Sequence, residues 1–189
     1  NDFGKDVIPY THKAGEKMYA FPFSGYWKDV GTIDSLWEAN LDLLNPKANI
    51  DLSDSSWKIY GRSPVTSPQY VSNDAVLQNS IVAEGCTIEG SIEYSILFSN
   101  VNVEKGAVVE YSIVMPGTTI KSGAVVQYAI VAENAVIGRD ALIGENPQKT
   151  GDIKEWGVTV VGNGVKVGDK ARVKAKSMIS DDVKEGDAV

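Results

Sequence analysis

Ile92-Glu93-Tyr94-Ser95-Ile96, Val109-Glu110-Tyr111-Ser112-Ile113 and Val126-Gln127-Tyr128-Ala129-Ile130 are copies of one short pattern, and their tyrosines stand 17 residues apart each time. The aliphatic series Leu97, Val103, Val109, Val114, Ile120, Val126, Val131, Ile137, Ile143 runs through them in steps of 6, 6, 5, 6, 6, 5, 6 and 6. A helix repeats every ~3.6 residues and a strand every ~2, so neither makes this spacing. A solenoid with three short faces per turn does. One aliphatic residue per face points inward, and coils stack about 4.8 Å apart. Leu97, Val114 and Val131 then form one internal column, Val103, Ile120 and Ile137 a second, and Val109, Val126 and Ile143 a third.

Working outward, small residues recur four positions after many of these aliphatics: Ala75, Cys86, Ala107, Thr118, Ala124, Ala135, Ala141, Ala171 and Ser177. A narrow triangular prism needs small side chains where its backbone turns. Gly85, Gly106, Gly117 and Gly123 precede that slot and suit tight turns. Leu77-Gln78-Asn79-Ser80-Ile81 is an earlier, degenerate copy without the tyrosine. The repeats stop at Gly144 and resume at Val161, Val167, Val173 and Ile179, with a polar stretch rich in Pro and Gly between them. That stretch is expected to leave the solenoid as a loop. The repeats resemble the hexapeptide-repeat family of left-handed parallel β-helices, and the left hand is what the resemblance implies.

The first 55 residues follow another logic. Met18 to Phe23 reads as a strand. Thr32 is placed as a helix N-cap, Ile33, Leu36, Trp37, Leu41 and Leu44 follow at helical spacing, and Asn45-Pro46 ends the helix. Ser53 to Pro68 reads as a connector containing a short strand, Trp57 to Tyr60. The expected division is 1–52 as an α/β piece, 53–70 as the connector, and 71–189 as the solenoid with a loop inserted at about 145–160. One helix and a strand or two cannot build a core alone, so the N-terminal piece is expected to need a larger partner domain. A chain that begins at Asn1 rather than Met fits that expectation.

Composition narrows the function. The 189 residues are 43% hydrophobic, enough for a core, and carry a formal charge of −7. That balance argues against nucleic-acid binding, which needs a basic face. No apolar run approaches the ~20 residues of a bilayer span, and no signal-peptide core opens the chain. The single cysteine, Cys86, fits a reducing compartment, and a cytoplasmic location is expected. Cys86 occupies an inward slot and is expected to be an inert core thiol. Hexapeptide acyltransferases use a histidine as general base, and none follows His12, so that chemistry lacks its base. The tyrosines are expected to form a stacked outer ladder.

Asn1-Asp2-Phe3-Gly4-Lys5-Asp6-Val7-Ile8-Pro9, and the run from Gly25-Tyr26-Trp27-Lys28-Asp29-Val30-Gly31-Thr32 through Asn40, resemble the glucose-1-phosphate adenylyltransferase (ADP-glucose pyrophosphorylase) family, bacterial type. The resemblance continues through the helix into the repeats. It implies a mainly β chain: a left-handed parallel β-helix preceded by a short α/β remnant of a nucleotidyltransferase domain. The β-helix would serve assembly and allosteric control of an enzyme that makes ADP-glucose and pyrophosphate from ATP and glucose 1-phosphate for glycogen synthesis. In the Trp-x-Asp-x-Gly-Thr motif of sugar nucleotidyltransferases the aspartate is a magnesium ligand, here Asp29. Magnesium is a hard ion held by one or two carboxylates plus substrate phosphates, whereas an aspartate two residues ahead of a glycine also suits a simple turn. The nucleotide loop and the remaining catalytic groups would lie upstream, so no catalytic residue is assigned here and the chain alone is expected to be inactive.

The same resemblance implies a homotetramer or a mixed assembly with a sister subunit. Plant members bind an anionic activator with a lysine where this sequence has Glu133. Lys170, Arg172, Lys174 and Lys176 are spaced by two, would share a face if they lay on one strand, and are the candidate cations for an anionic effector. Plain solvated side chains are the alternative. Two other readings of the whole stay open: the C-terminal part of another sugar-1-phosphate nucleotidyltransferase, for mannose 1-phosphate or N-acetylglucosamine 1-phosphate, and a non-catalytic regulatory scaffold.

Overall fold

A computed structural model describes residues 2–52, 54–61, 65–148 and 157–189. Among the described residues eighteen short strands, the first Tyr70–Val71 and the last Met178–Ile179, form three parallel six-stranded sheets. Each strand pairs with the strand one coil away, so the sheets are the three faces of a prism. The first face stacks Val71, Ile88, Val103, Ile120, Ile137 and Val167 in register. The second stacks Leu77, Ile92, Val109, Val126, Ile143 and Val173. The third stacks Val82, Leu97, Val114, Val131, Val161 and Ile179. The three expected columns are therefore present, in an arrangement consistent with a left-handed β-helix. In the central coils these side chains are fully buried, each contributing about 1.5–3 kcal/mol as an upper estimate. At the N-terminal end Val71 and Leu77 are more than two-fifths exposed.

Cys86, Ala107, Thr118, Ala124, Ala135, Ala141 and Ala171 are buried at the corners, while Ala75 and Ser177, nearer the ends, are half-buried. Gly117 turns its corner at φ +72, and the side chain of Asn134 one coil on lies where a Cβ would be. Tyr94, Tyr111 and Tyr128 hold the third corner at φ +45, +47 and +49. The Tyr111 and Tyr128 rings stack at a centroid separation of 4.8 Å and Tyr94 lies tilted against Tyr111 at 5.0 Å, forming the expected outer ladder.

The serines after the tyrosines have a role that the spacing did not suggest. The Ser95 hydroxyl donates to Glu93 O at 2.8 Å and accepts the Ser112 N–H at 3.0 Å. The Ser112 hydroxyl donates to Glu110 O and accepts the Ala129 N–H at 3.1 Å. Both serines are fully buried, so this relay satisfies backbone N–H groups where the sheet ladder turns its corner.

The N-terminal part differs from expectation. Phe3–Val7 is a π-helical turn capped by Asp2, followed by helix α1, Ile8–Lys13. No spacing in the sequence marks either element. No strand forms over 18–23 or 57–60. A strand is defined by pairing, and all paired strands among the described residues belong to the solenoid, so extended propensity there finds no partner. Helix α2, Ile33–Leu41, starts at the expected cap: Thr32 and Ser35 form a reciprocal capping box. A 3-10 turn, Asp42–Leu44, closes it before Asn45-Pro46. The chain leaves the solenoid after Gly144 and re-enters at Thr159–Val161, which pairs with Ala129–Val131. Half of the expected loop, 149–156, lies outside the described residues. No helix among the described residues is long and apolar enough to cross a membrane.

Candidate functional site

Helix α2 lies on the outside of the third face. Ile113 and Ile130, on adjacent rungs, meet Ile33, Leu36 and Trp37, while Ile96 meets Leu41 and Leu44. The Trp37 indole N–H donates to the carbonyl oxygen of Tyr111 at 2.8 Å, and its ring sits 6.0 Å from that of Tyr128. This seam of apolar contacts, together with the Trp37–Tyr111 hydrogen bond, fixes the N-terminal segment to the solenoid.

The seam also positions the Tyr26–Thr32 run. The Lys28 ammonium lies 2.9 Å from Glu38 and 3.2 Å from Asp42, and the Tyr26 hydroxyl donates to Asp42 at 2.9 Å. Burial lowers the Lys28 pKa, but hydrogen bonds to Glu38 and Asp42 outweigh it and leave the ammonium above its ordinary value. Burial and the Asp42 hydrogen bond raise the Tyr26 phenol. Lys28, Trp37, Glu38 and Asp42 line one side of a groove of about 310 Å³, and Tyr94, Tyr111 and Tyr128 line the other.

Asp29 is exposed beside this anchor. Its Oδ1 accepts the Gly31 N–H at 3.1 Å, the bond of a turn aspartate, and Oδ2 has no partner among the described residues. No group of three or more His, Cys, Asp or Glu that could hold a metal ion occurs among the described residues. The donor set thus fits magnesium in one respect only: one hard carboxylate oxygen, with the remaining ligands supplied from elsewhere.

The four candidate cations do not share one strand. Only Arg172 lies in one, Arg172–Val173, on the second face. Lys170 and Lys176 occupy the two corners bounding that face, at φ +60 and +66, and Lys174 follows the strand. The five- and six-residue faces are too short to hold four alternating residues in line. All four side chains are exposed, and the Lys176 chain packs along Gly157.

A family model described as GlmU-like, C-terminal hexapeptide, matches residues 67–167, more than half of the sequence. The chain belongs to this family. A second model, Nucleotidyl transferase, matches residues 1–46. Curated proteins named glucose-1-phosphate adenylyltransferase from Bacillus mycoides (strain KBAB4), Bacillus cereus (strain ATCC 10987 / NRS 248) and Bacillus anthracis are each 50% identical to this chain over 109 residues. The aligned part is 58% of this chain and 29% of each relative, so the chain spans under a third of their length. The hexapeptide match takes in the tyrosine ladder and the serine relay and ends before Arg172. The nucleotidyl transferase match takes in Asp29, Lys28 and α2, and stops at the helix terminator Asn45-Pro46.

Proposed function

We propose that this chain is the C-terminal, assembly and regulatory part of a bacterial-type glucose-1-phosphate adenylyltransferase. The parent enzyme makes ADP-glucose and pyrophosphate from ATP and glucose 1-phosphate for glycogen synthesis in the cytoplasm. One observation carries the reading: a stretch similar to nucleotidyl transferases is bolted by Trp37 to a hexapeptide solenoid within one chain. The solenoid then acts as a brace, holding the Tyr26–Thr32 run at a fixed place relative to the catalytic domain. Lys28 and Tyr26, tied to Asp42, orient that run, and Asp29 at its tip offers a carboxylate oxygen to the metal site. Magnesium there would neutralise phosphate charge during in-line attack on the α-phosphorus of ATP. The chain's own residues contribute positioning. Lys170, Arg172, Lys174 and Lys176 are the surface cations available to an anionic effector. The assembly is a homotetramer or a mixed oligomer with a sister subunit.

The test joins this chain to the residues that precede the matching stretch in the Bacillus cereus relative, and assays pyrophosphate release from ATP and glucose 1-phosphate. The chain alone is expected to be silent and the joined protein active. Asp29→Asn in the joined protein lowers kcat by about a hundredfold or more. Turnover by the chain alone, or activity confined to mannose 1-phosphate or N-acetylglucosamine 1-phosphate, would overturn the reading.

A further inference from the structure

The outer side of the second face carries a charge pattern that a single molecule does not use. Each of its strands shows two outward positions flanking the buried one. Val108, Val125 and Leu142 occupy the first position on three successive rungs, in register and half-buried. They form an apolar strip at mid-height. Toward the N-terminal end the second position holds Glu93 and Glu110 on adjacent rungs. At the C-terminal end Arg172 and Lys174 flank the buried Val173. Like charges stacked on neighbouring strands repel, and among the described residues none of these four side chains has a salt-bridge partner. The first face repeats the acidic pair with Glu89 and Glu104 and has Lys166 at its C-terminal end, but Thr87, Asn102 and Thr119 leave it without the apolar strip. On the third face the rungs of Ile96, Ile113 and Ile130 are covered by α2.

We propose that the second face is an isologous interface with a second copy of this chain, related by a twofold axis that runs along the strand direction through the Val125 rung. Such an axis reverses coil order and keeps each outward position opposite its own kind. Val125 then meets Val125 of the second copy, and Val108 meets Leu142. Glu93 meets Lys174, because both stand in the second position two rungs from the axis in opposite senses. Arg172 lies across from Ser91, within reach of the same glutamate. The other twofold arrangement, with the solenoids parallel, sets the basic rungs against each other and is disfavoured by charge. The face is about 24 Å tall at ~4.8 Å per rung and only a strand wide, so the pairing belongs to the weak class of interfaces. An anion bound at Arg172 and Lys174 would compete with it. This gives the assembly role proposed above a particular surface, and it does not depend on the enzymatic reading.

The experiment is sedimentation equilibrium of the 189-residue chain from about 5 µM to about 500 µM at low and high salt, the range where a narrow interface associates. Concentration-dependent dimers that weaken in salt are expected. Glu93→Lys should raise the dimer Kd about tenfold, as should Lys174→Glu, with the double variant recovering most of the loss. Independently, Val125→Cys in a Cys86→Ser background should give a disulfide-linked dimer under mild oxidation, whereas Thr119→Cys on the first face should not. A monomer at every concentration, equal loss in the single and double charge variants, or a Val125→Cys thiol shielded from reagents in the monomer would each overturn the proposal. A dimer through another face would do the same and leave the adenylyltransferase reading standing.

Discussion

The indole N–H of Trp37 is bonded to the carbonyl oxygen of Tyr111, a residue 74 positions away whose backbone sits at φ +47. The bond follows from how the corner is satisfied. The Ser112 hydroxyl takes the Ala129 N–H of the next coil, which leaves the Tyr111 carbonyl directed at α2. One coil on, Ala129 replaces the serine, and the Tyr128 carbonyl accepts the Thr159 N–H directly. Helix docking and corner chemistry are therefore one arrangement.

Trp37→Phe keeps the ring packing and loses the bond, and should cost about 1 kcal/mol. Trp37→Ala should cost about 3 kcal/mol and free α2 from the third face. Urea unfolding reads the first. Proteolysis of the 26–45 stretch, enhanced only in the alanine variant, reads the second.

Gly144 stands where the chain leaves the solenoid, at φ +73, and a Cβ there would run into the carbonyl oxygen of Gln127. Gly164 has φ +70 with open space around it. Gly144→Ala should destabilise by about 2–4 kcal/mol and Gly164→Ala by about 1 kcal/mol, since only the first adds a backbone collision to the left-handed strain. Thermal unfolding of the two variants, with opposite ranking, would contradict this account of the exit.

Tyr26 and Lys28 both hold their protons more tightly in the folded chain than at the ordinary values of 10.0 and 10.5. Groups with raised folded pKa contribute stability below the unfolded value and lose it as pH rises through the folded one. The Tyr26–Thr32 anchor should thus hold to about pH 10 and release above it. Asp42→Asn removes the shared partner and should shift the alkaline release to lower pH, read by tyrosinate difference absorbance.

The Cys86 thiol is 1% exposed, it donates to Phe98 O with Sγ 3.0 Å away, and burial pushes its pKa above the ordinary 9.0. A thiol reagent at neutral pH should react with it only as the solenoid opens. Reaction rates that track urea-induced unfolding are expected; a rate in native buffer close to that of free cysteine would refute the burial.

The solenoid was legible because its signal is periodic over many residues: a 17-residue repeat places each aliphatic on a column, and nothing local competes. The α2 start was legible because Thr32 and Ser35 spell a cap. The π-turn at Phe3–Val7 was not, since no spacing marks it. The strands expected at Met18–Phe23 and Trp57–Tyr60 failed for another reason. Extended propensity is local, but a strand needs a partner, and propensity does not say where that partner is. Spacing by two from Lys170 to Lys176 likewise misled, because it presumes a strand longer than any face of this prism. The serine relay was written in the motif beside each tyrosine, yet its meaning appears only when the coils are stacked.

Because every rung repeats the one before it, the prism behaves as a ruler graduated in single coils. Gaining or losing a whole 17-residue unit beyond the α2 seam would move the Arg172 end by one graduation, about 4.8 Å, and leave every surviving neighbour contact intact. A shift of one or two residues within a strand would instead break the columns downstream, whereas a corner absorbs it, as in the 15-residue coil from Leu77 to Ile92 and the excursion after Gly144, which keep their columns in register. The distance between the helix clamp and the C-terminal tip can therefore change in evolution only by whole steps.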